Sequence, residues 1–183
     1  MKINPIYLSM KSFFLMITIL LSVITEGQST AKNKRMIADS KKAIKTFTNT
    51  DPSMKRLFDN SYAYVVFPNV GKGGLGVGGA FGNGIVFKKN RTVGTAKFSQ
   101  LSIGLQAGGQ GYREVIFFEN KSNFDEFKQN NLKLSAQVSA VIAASGASAN
   151  VNYANGILIF AQPKGGLMYE ISVGGQTFNY EDF

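Results

Sequence analysis

The 183-residue chain contains no cysteine and no histidine. Without cysteine there is neither a disulfide framework nor a lipid-modified N-terminal cysteine, so the core stands on packing alone. Without histidine the commonest general base is gone, and the two absences together remove the usual zinc ligands and most hydrolytic triads. Acid is missing locally as well. No Asp or Glu lies between Asp59 and Glu114, a stretch that carries Lys72, Lys88, Lys89, Arg91, Lys97 and Arg113. With no carboxylate near them in sequence, these cations face solvent or an anionic partner. The whole chain has 20 Lys and Arg against 11 Asp and Glu, a formal charge of +9.

The start of the chain has the plan of a secretory leader. Lys11 precedes the apolar run SFFLMITILLSVI, and Thr25 and Gly27 are small residues suited to cleavage before Gln28. The predicted leader is 1–27, and its removal takes Lys2, Lys11 and Glu26 with it, leaving a net charge of +8. Export across the inner membrane is therefore expected.

Residues 28–60 form a basic helical segment. At 100° per residue, Ala43, Met36, Phe47, Ser40, Ile44 and Thr48 share one arc, which predicts an amphipathic helix over about 34–48 with lysines along its edge. Asp51-Pro52 reads as a cap followed by a first helical proline, starting a short helix through Phe58. From 61 to 183 the period becomes two. Strands are predicted at 62–67, 84–89, 93–99, 101–107, 112–119, 134–142, 146–153, 157–162, 167–173 and 176–180, broken by a short helix from Ser122 to about Asn130. The expected fold is α+β: a curled, mostly antiparallel, barrel-like sheet covered by N-terminal helices and one short internal helix. An outer-membrane barrel fits less well. Its segments would be longer, and the residues two apart before Phe183 are Glu181, Asn179 and Thr177, all polar.

Enzyme and nucleotide signatures fail on inspection. Gly74, Gly76 and Gly79 spell G-x-G-x-x-G, yet strand-forming residues follow instead of a helix and no ribose-binding acid comes after. The glycines read as places where strands bend, bulge or approach closely. Ser29 and Lys32 spell S-x-x-K at the new N-terminus, where no preorganised nucleophile can sit. Glu114 and Glu119 point to opposite faces of one strand. No catalytic set, metal site or cofactor is expected. Nucleic acid is an unattractive partner, because the Phe and Tyr residues occupy core-facing strand positions instead of standing beside the cations.

The segments YAYVVFPNVGKGGLGVGGAFGNGIVF, SIGLQAGGQGYREVIFF and NGILIFAQPKGGLMYEISVGGQTFNY resemble successive blocks of the SYLF domain, over about residues 35–183. The resemblance implies non-enzymatic binding of anionic phospholipid, phosphoinositide-like headgroups through basic residues, with an amphipathic N-terminal segment contributing in some members. With the leader, the resemblance implies a periplasmic, peripherally membrane-associated protein, for which the physical equivalents of phosphoinositides are phosphatidylglycerol, cardiolipin and lipopolysaccharide phosphates. The turn near Gln162-Pro163-Lys164 departs from the family pattern.

The candidate headgroup contacts are Lys72, Lys88, Lys89, Arg91, Lys97 and Arg113, with Lys41, Lys42 and Lys45 as helpers, gathered on one accessible side. At roughly 1 kcal/mol per cation near an anionic surface, three or four contacts correspond to about millimolar to submillimolar binding, so several must act together. The rival reading is a structural or interaction module whose cations meet an acidic partner protein. A third is a small-molecule pocket inside the sheet.

Overall fold

The computed structural model describes residues 30–75, 77–103, 109–130, 132, 134, 140–165 and 175–183. Ile37–Phe183 forms one compact unit, and the helical residues before it belong to another. The predicted leader and the 167–173 strand lie outside the described residues, as does most of the 134–142 strand.

Helix α1 covers residues 30–50. Within the compact unit its predicted stripe is the buried one: Ser40, Ala43 and Phe47 are buried, while Lys41, Lys42 and Lys45 are exposed. The next helix, α2 (Met54–Asn60), starts later than expected. Asp51 does not cap it in the usual way. Its buried carboxylate instead accepts from the Ser53 N–H at 3.1 Å and from the Ser148 N–H at 2.7 Å, which ties the 144–153 segment to the start of α2.

Seven strands follow: β1 (Ala63–Leu75), β2 (Val77–Lys88), β3 (Arg91–Ile103), β4 (Gly109–Phe118), β5 (Val141–Ile142), β6 (Ile157–Pro163) and β7 (Gln176–Asp182), with α3 (Lys121–Lys128) after β4. They make one open sheet in the order β5-β6-β4-β1-β2-β3-β7, antiparallel except for the β5–β6 pair. The expected α+β class holds, with a curled sheet that does not close.

The predicted 146–153 strand is absent. Gly146 takes φ +75°, Ala147 and Ala149 close tight turns, and Asp51 occupies the Ser148 N–H that a ladder would need. The glycine run does not interrupt the strands. Residues 71–75 and 77–84 continue as hydrogen-bonded strand, because β1 and β2 are each paired on both sides.

One break in β1 shapes everything downstream. The register slips at Pro68-Asn69 against both neighbours, which lets a proline sit in a central strand. Before the bulge, Tyr64 and Val66 lie on the helix-covered face, where Tyr64 meets Phe58 of α2 at 5.1 Å. After it the parity reverses, and Val70 and Lys72 turn to the other face.

That other face is concave. The Gln176 amide on β7 donates to the Glu114 carboxylate on β4 at 3.1 Å, although β1, β2 and β3 lie between these strands. A flat sheet would separate β4 and β7 by about 19 Å at the usual strand spacing, so the sheet curls through a large arc. Phe124 and Phe127 of α3 fill one end of the hollow with Phe118, Phe178 and Tyr180. The side chain that caps α3 is Asn120, two residues before the expected Ser122, accepting from the Asn123 N–H at 3.1 Å.

Candidate functional site

On the convex face, where α1 meets β1, β4 and β6, lies a half-open polar cleft of about 170 Å³. Its walls are Asp39, Lys42, Ala43 and Thr46 from α1, Pro68 and Asn69 from the bulge, Arg113 from β4, and Lys164 just past β6. Each wall has a local cause. The amphipathic register of α1 places Lys42 beside the buried Ala43, the bulge throws Asn69 outward, and β4–β6 pairing sets Arg113 opposite Gln162.

Three cations and one carboxylate give the cleft a net charge of +2. Two of the cations are held by neutral acceptors. Arg113 Nη1 donates to Gln162 Oε1 at 2.6 Å, Gln162 Nε2 in turn donates to Thr50 Oγ1 at 2.7 Å, and Lys164 Nζ donates to Asn69 Oδ1. The ion pairs among the described residues are Lys55–Asp59, Lys97–Glu181, Lys121–Asp125 and Lys128–Asp182, none of them in the cleft. Partial burial lowers the Arg113 pKa. Lys164 is lowered by burial first and then by the charge of Arg113, with Asp39 opposing and Lys42 adding to the fall. An entering anion would relieve the mutual repulsion. The volume is well under the roughly 300 Å³ of sites that enclose a drug-sized ligand, so the cleft suits a phosphate-sized group with the rest of its molecule outside.

The nine cations singled out from the sequence do not share one side. Arg113 and Lys42 meet in the cleft, joined by Lys164, which was not among them. Lys41 and Lys45 stand on the exposed side of α1. Lys88, Lys89 and Arg91 surround the β2–β3 turn, where Lys89 and Asn90 take φ 49° and 62° as a two-residue hairpin loop. Tyr64 Oη donates to Asn90 Oδ1 at 2.8 Å, and Lys88 Nζ sits 4.7 Å from the Tyr62 ring centre. Ala63 pairs with Lys88 while the cleft borders Asn69, which puts the two groups about 20 Å apart along the strands. Lys97 is paired with Glu181 at 3.1 Å. Lys72 is only 8% exposed, because the bulge turns it inward.

Lys72 belongs to a buried polar group on the concave face with Gln100, Tyr112, Glu114 and Gln176. Glu114 is fully buried, its Oε1 has no hydrogen-bond partner, and burial pushes its pKa up to about 8 against the opposing bond from Gln176. Sequence reasoning found Glu114 only as half of a failed acid/base pair. No group of three potential metal-ligating side chains occurs among the described residues, and none of their helices is long and apolar enough to cross a membrane.

Residues 99–182 match the sequence profile of the family described as Ysc84, Las17-binding protein actin regulator. Over 156 residues the chain is 31% identical to Beta cell expansion factor A of Aeromonas veronii, which covers 81% of this chain. The chain spans 58% of the length of that relative.

Proposed function

The chain belongs to the SYLF (Ysc84) domain family, and from that premise we propose that it binds anionic phospholipid headgroups at a membrane surface without catalysis. The family is associated with lipid binding and with actin regulation. The observation that carries the reading is the cleft in which Lys42, Arg113 and Lys164 converge, with Arg113 and Lys164 held by Gln162 and Asn69 and only Asp39 to offset the three charges. A headgroup phosphate would take the place of the missing counter-charge, with Arg113 supplying planar donors and the lysines point charge. Lys88, Lys89 and Arg91 form a second basic point on the same molecule. At roughly 1 kcal/mol per cation, neither group alone gives better than about millimolar attachment, so both act together, or several molecules bind side by side. In this reading the protein works in the periplasm, on phosphatidylglycerol, cardiolipin or lipopolysaccharide phosphates.

Co-sedimentation with phosphatidylglycerol vesicles and with neutral phosphatidylcholine vesicles, over a salt series, tests it. The expected result is binding to the anionic vesicles only, weakening as salt rises. Arg113→Gln with Lys164→Gln should reduce binding about tenfold or more, and Lys88→Glu with Lys89→Glu should reduce it further. Equal indifference of the wild type to both vesicles would favour an acidic protein partner instead.

A further inference from the structure

Among the described residues the large apolar side chains left exposed are Phe81 at 67%, Leu101 at 75% and Phe183 at 58%. The first two share a face and a neighbourhood. Strand pairing sets Asn69, Asn83 and Lys97 in a row on the convex face at the level of Arg113. The next row is Gly111, Gly71, Phe81 and Ser99, and the one after is Gly109, Gly73, Gly79 and Leu101. Five of these eight positions are glycine. The glycines of β1, β2 and β4 therefore make a floor of bare backbone on which Phe81 and Leu101 stand proud, one and two rows beyond the cationic level. Each row is about 7 Å from the next. A Cβ at Gly71 would lie 3.4 Å from the Phe81 ring, so the ring rests over the neighbouring strand at the position where a side chain is missing.

We infer that Phe81 and Leu101 form an insertion edge that enters the apolar boundary of the same anionic bilayer whose headgroups occupy the cleft. This rests on the proposed function and adds a second, non-electrostatic contact to it. The apolar edge borders the cleft of net charge +2 on one face, and an anionic bilayer presents charge and hydrocarbon in that order with depth. It also supplies the affinity that a few screened charges lack.

The chain has no tryptophan, so Phe81→Trp introduces a single fluorescent reporter at the edge. With phosphatidylglycerol vesicles its emission should shift to the blue and be quenched by brominated acyl chains, while inorganic phosphate at saturating concentration should produce neither change. Phe81→Ser and Leu101→Ser, checked for native circular dichroism, should each weaken vesicle partitioning by about tenfold and leave residual binding that salt abolishes. An emission that stays water-like on vesicles that the protein demonstrably binds, together with undiminished binding by both serine variants, would overturn the insertion edge and leave headgroup binding intact. Failure of the wild type to bind any vesicle would overturn the proposed function itself. Concentration-dependent self-association without lipid, lost in both serine variants, would assign the edge to a second copy of the chain and overturn the inference.

Discussion

Glu114 makes the stability of this protein depend on pH in an unusual direction. Its carboxyl is fully buried on the concave face, with one oxygen accepting from Gln176 at 3.1 Å and the other unpartnered. Burial raises its pKa from 4.5 to about 8, the single Gln176 bond opposing the rise. Between those values the native state holds a proton that the unfolded chain has released, so stability falls as pH rises. The full interval corresponds to roughly 5 kcal/mol, and relaxation around the ionised group reduces the measured loss to about 2–4 kcal/mol. The background is quiet, because the chain has no histidine or cysteine to titrate in that window. Urea denaturation at pH 5, 6.5 and 8.5 should show the midpoint falling for the wild type. Glu114→Gln keeps the size of the side chain and an acceptor for Gln176, so it should match the wild type within about 1 kcal/mol at pH 5 and exceed it by about 2–3 kcal/mol at pH 8.5. A wild type whose stability is flat or rises over this range, or a variant that keeps the full slope, would refute the reasoning.

Two further expectations concern the framework. Asp51→Ala should cost about 2–3 kcal/mol in urea denaturation at pH 7, because it strands the buried Ser148 N–H, with Asp51→Asn costing less. Burial alone would raise this carboxyl, but the bonds from Ser53 and Ser148 outweigh it and hold it below 3.8, so the difference between wild type and Asp51→Asn should shrink as pH drops below that value. Gly84→Ala places a Cβ 2.5 Å from the Val66 carbonyl and 2.7 Å from the Phe67 ring, where backbone cannot yield, and should cost about 2 kcal/mol or more in thermal unfolding. Gly165→Ala, with nothing within 4 Å, is the matched control and should stay within about 0.5 kcal/mol of wild type.

What the sequence disclosed was what local periodicity can disclose. The stripe of α1 is readable because Ser40, Ala43 and Phe47 recur at helical spacing and nothing interrupts them. The α3 signal was off at its cap, where an Asn two residues earlier competes with Ser122 on equal chemical terms. Lys72 is expected among the accessible cations because no acid lies near it in sequence, and the single extra residue at Pro68-Asn69, invisible to that argument, turns it to the concave face. The cleft was beyond reach altogether. Lys42, Arg113 and Lys164 are separated by about 50 to 120 positions and meet only through α1 docking and β4–β6 pairing, which no local pattern encodes. A lysine following the predicted β6 strand was visible, but not the arginine it would face. In the glycine run the bulge at Pro68-Asn69 and the close approach at Gly84 fit the expectation for glycine, while pairing on both sides carries β1 and β2 through the rest as continuous strand.

The two faces of the sheet divide the demands on the molecule. The concave face carries aromatic packing at the α3 end and the buried Lys72, Gln100, Tyr112, Glu114 and Gln176 beyond it, so changes there register first as stability. The convex face is covered by α1 and α2 over one half and bared to glycine backbone over the other, with the cationic cleft at the border. Cations in a half-open cleft that repel one another add little to folding, so charge-removing changes there should weaken binding without lowering stability. In the proposed reading headgroup binding falls on the convex side, and the Pro68-Asn69 bulge decides which side chains of β1 face it.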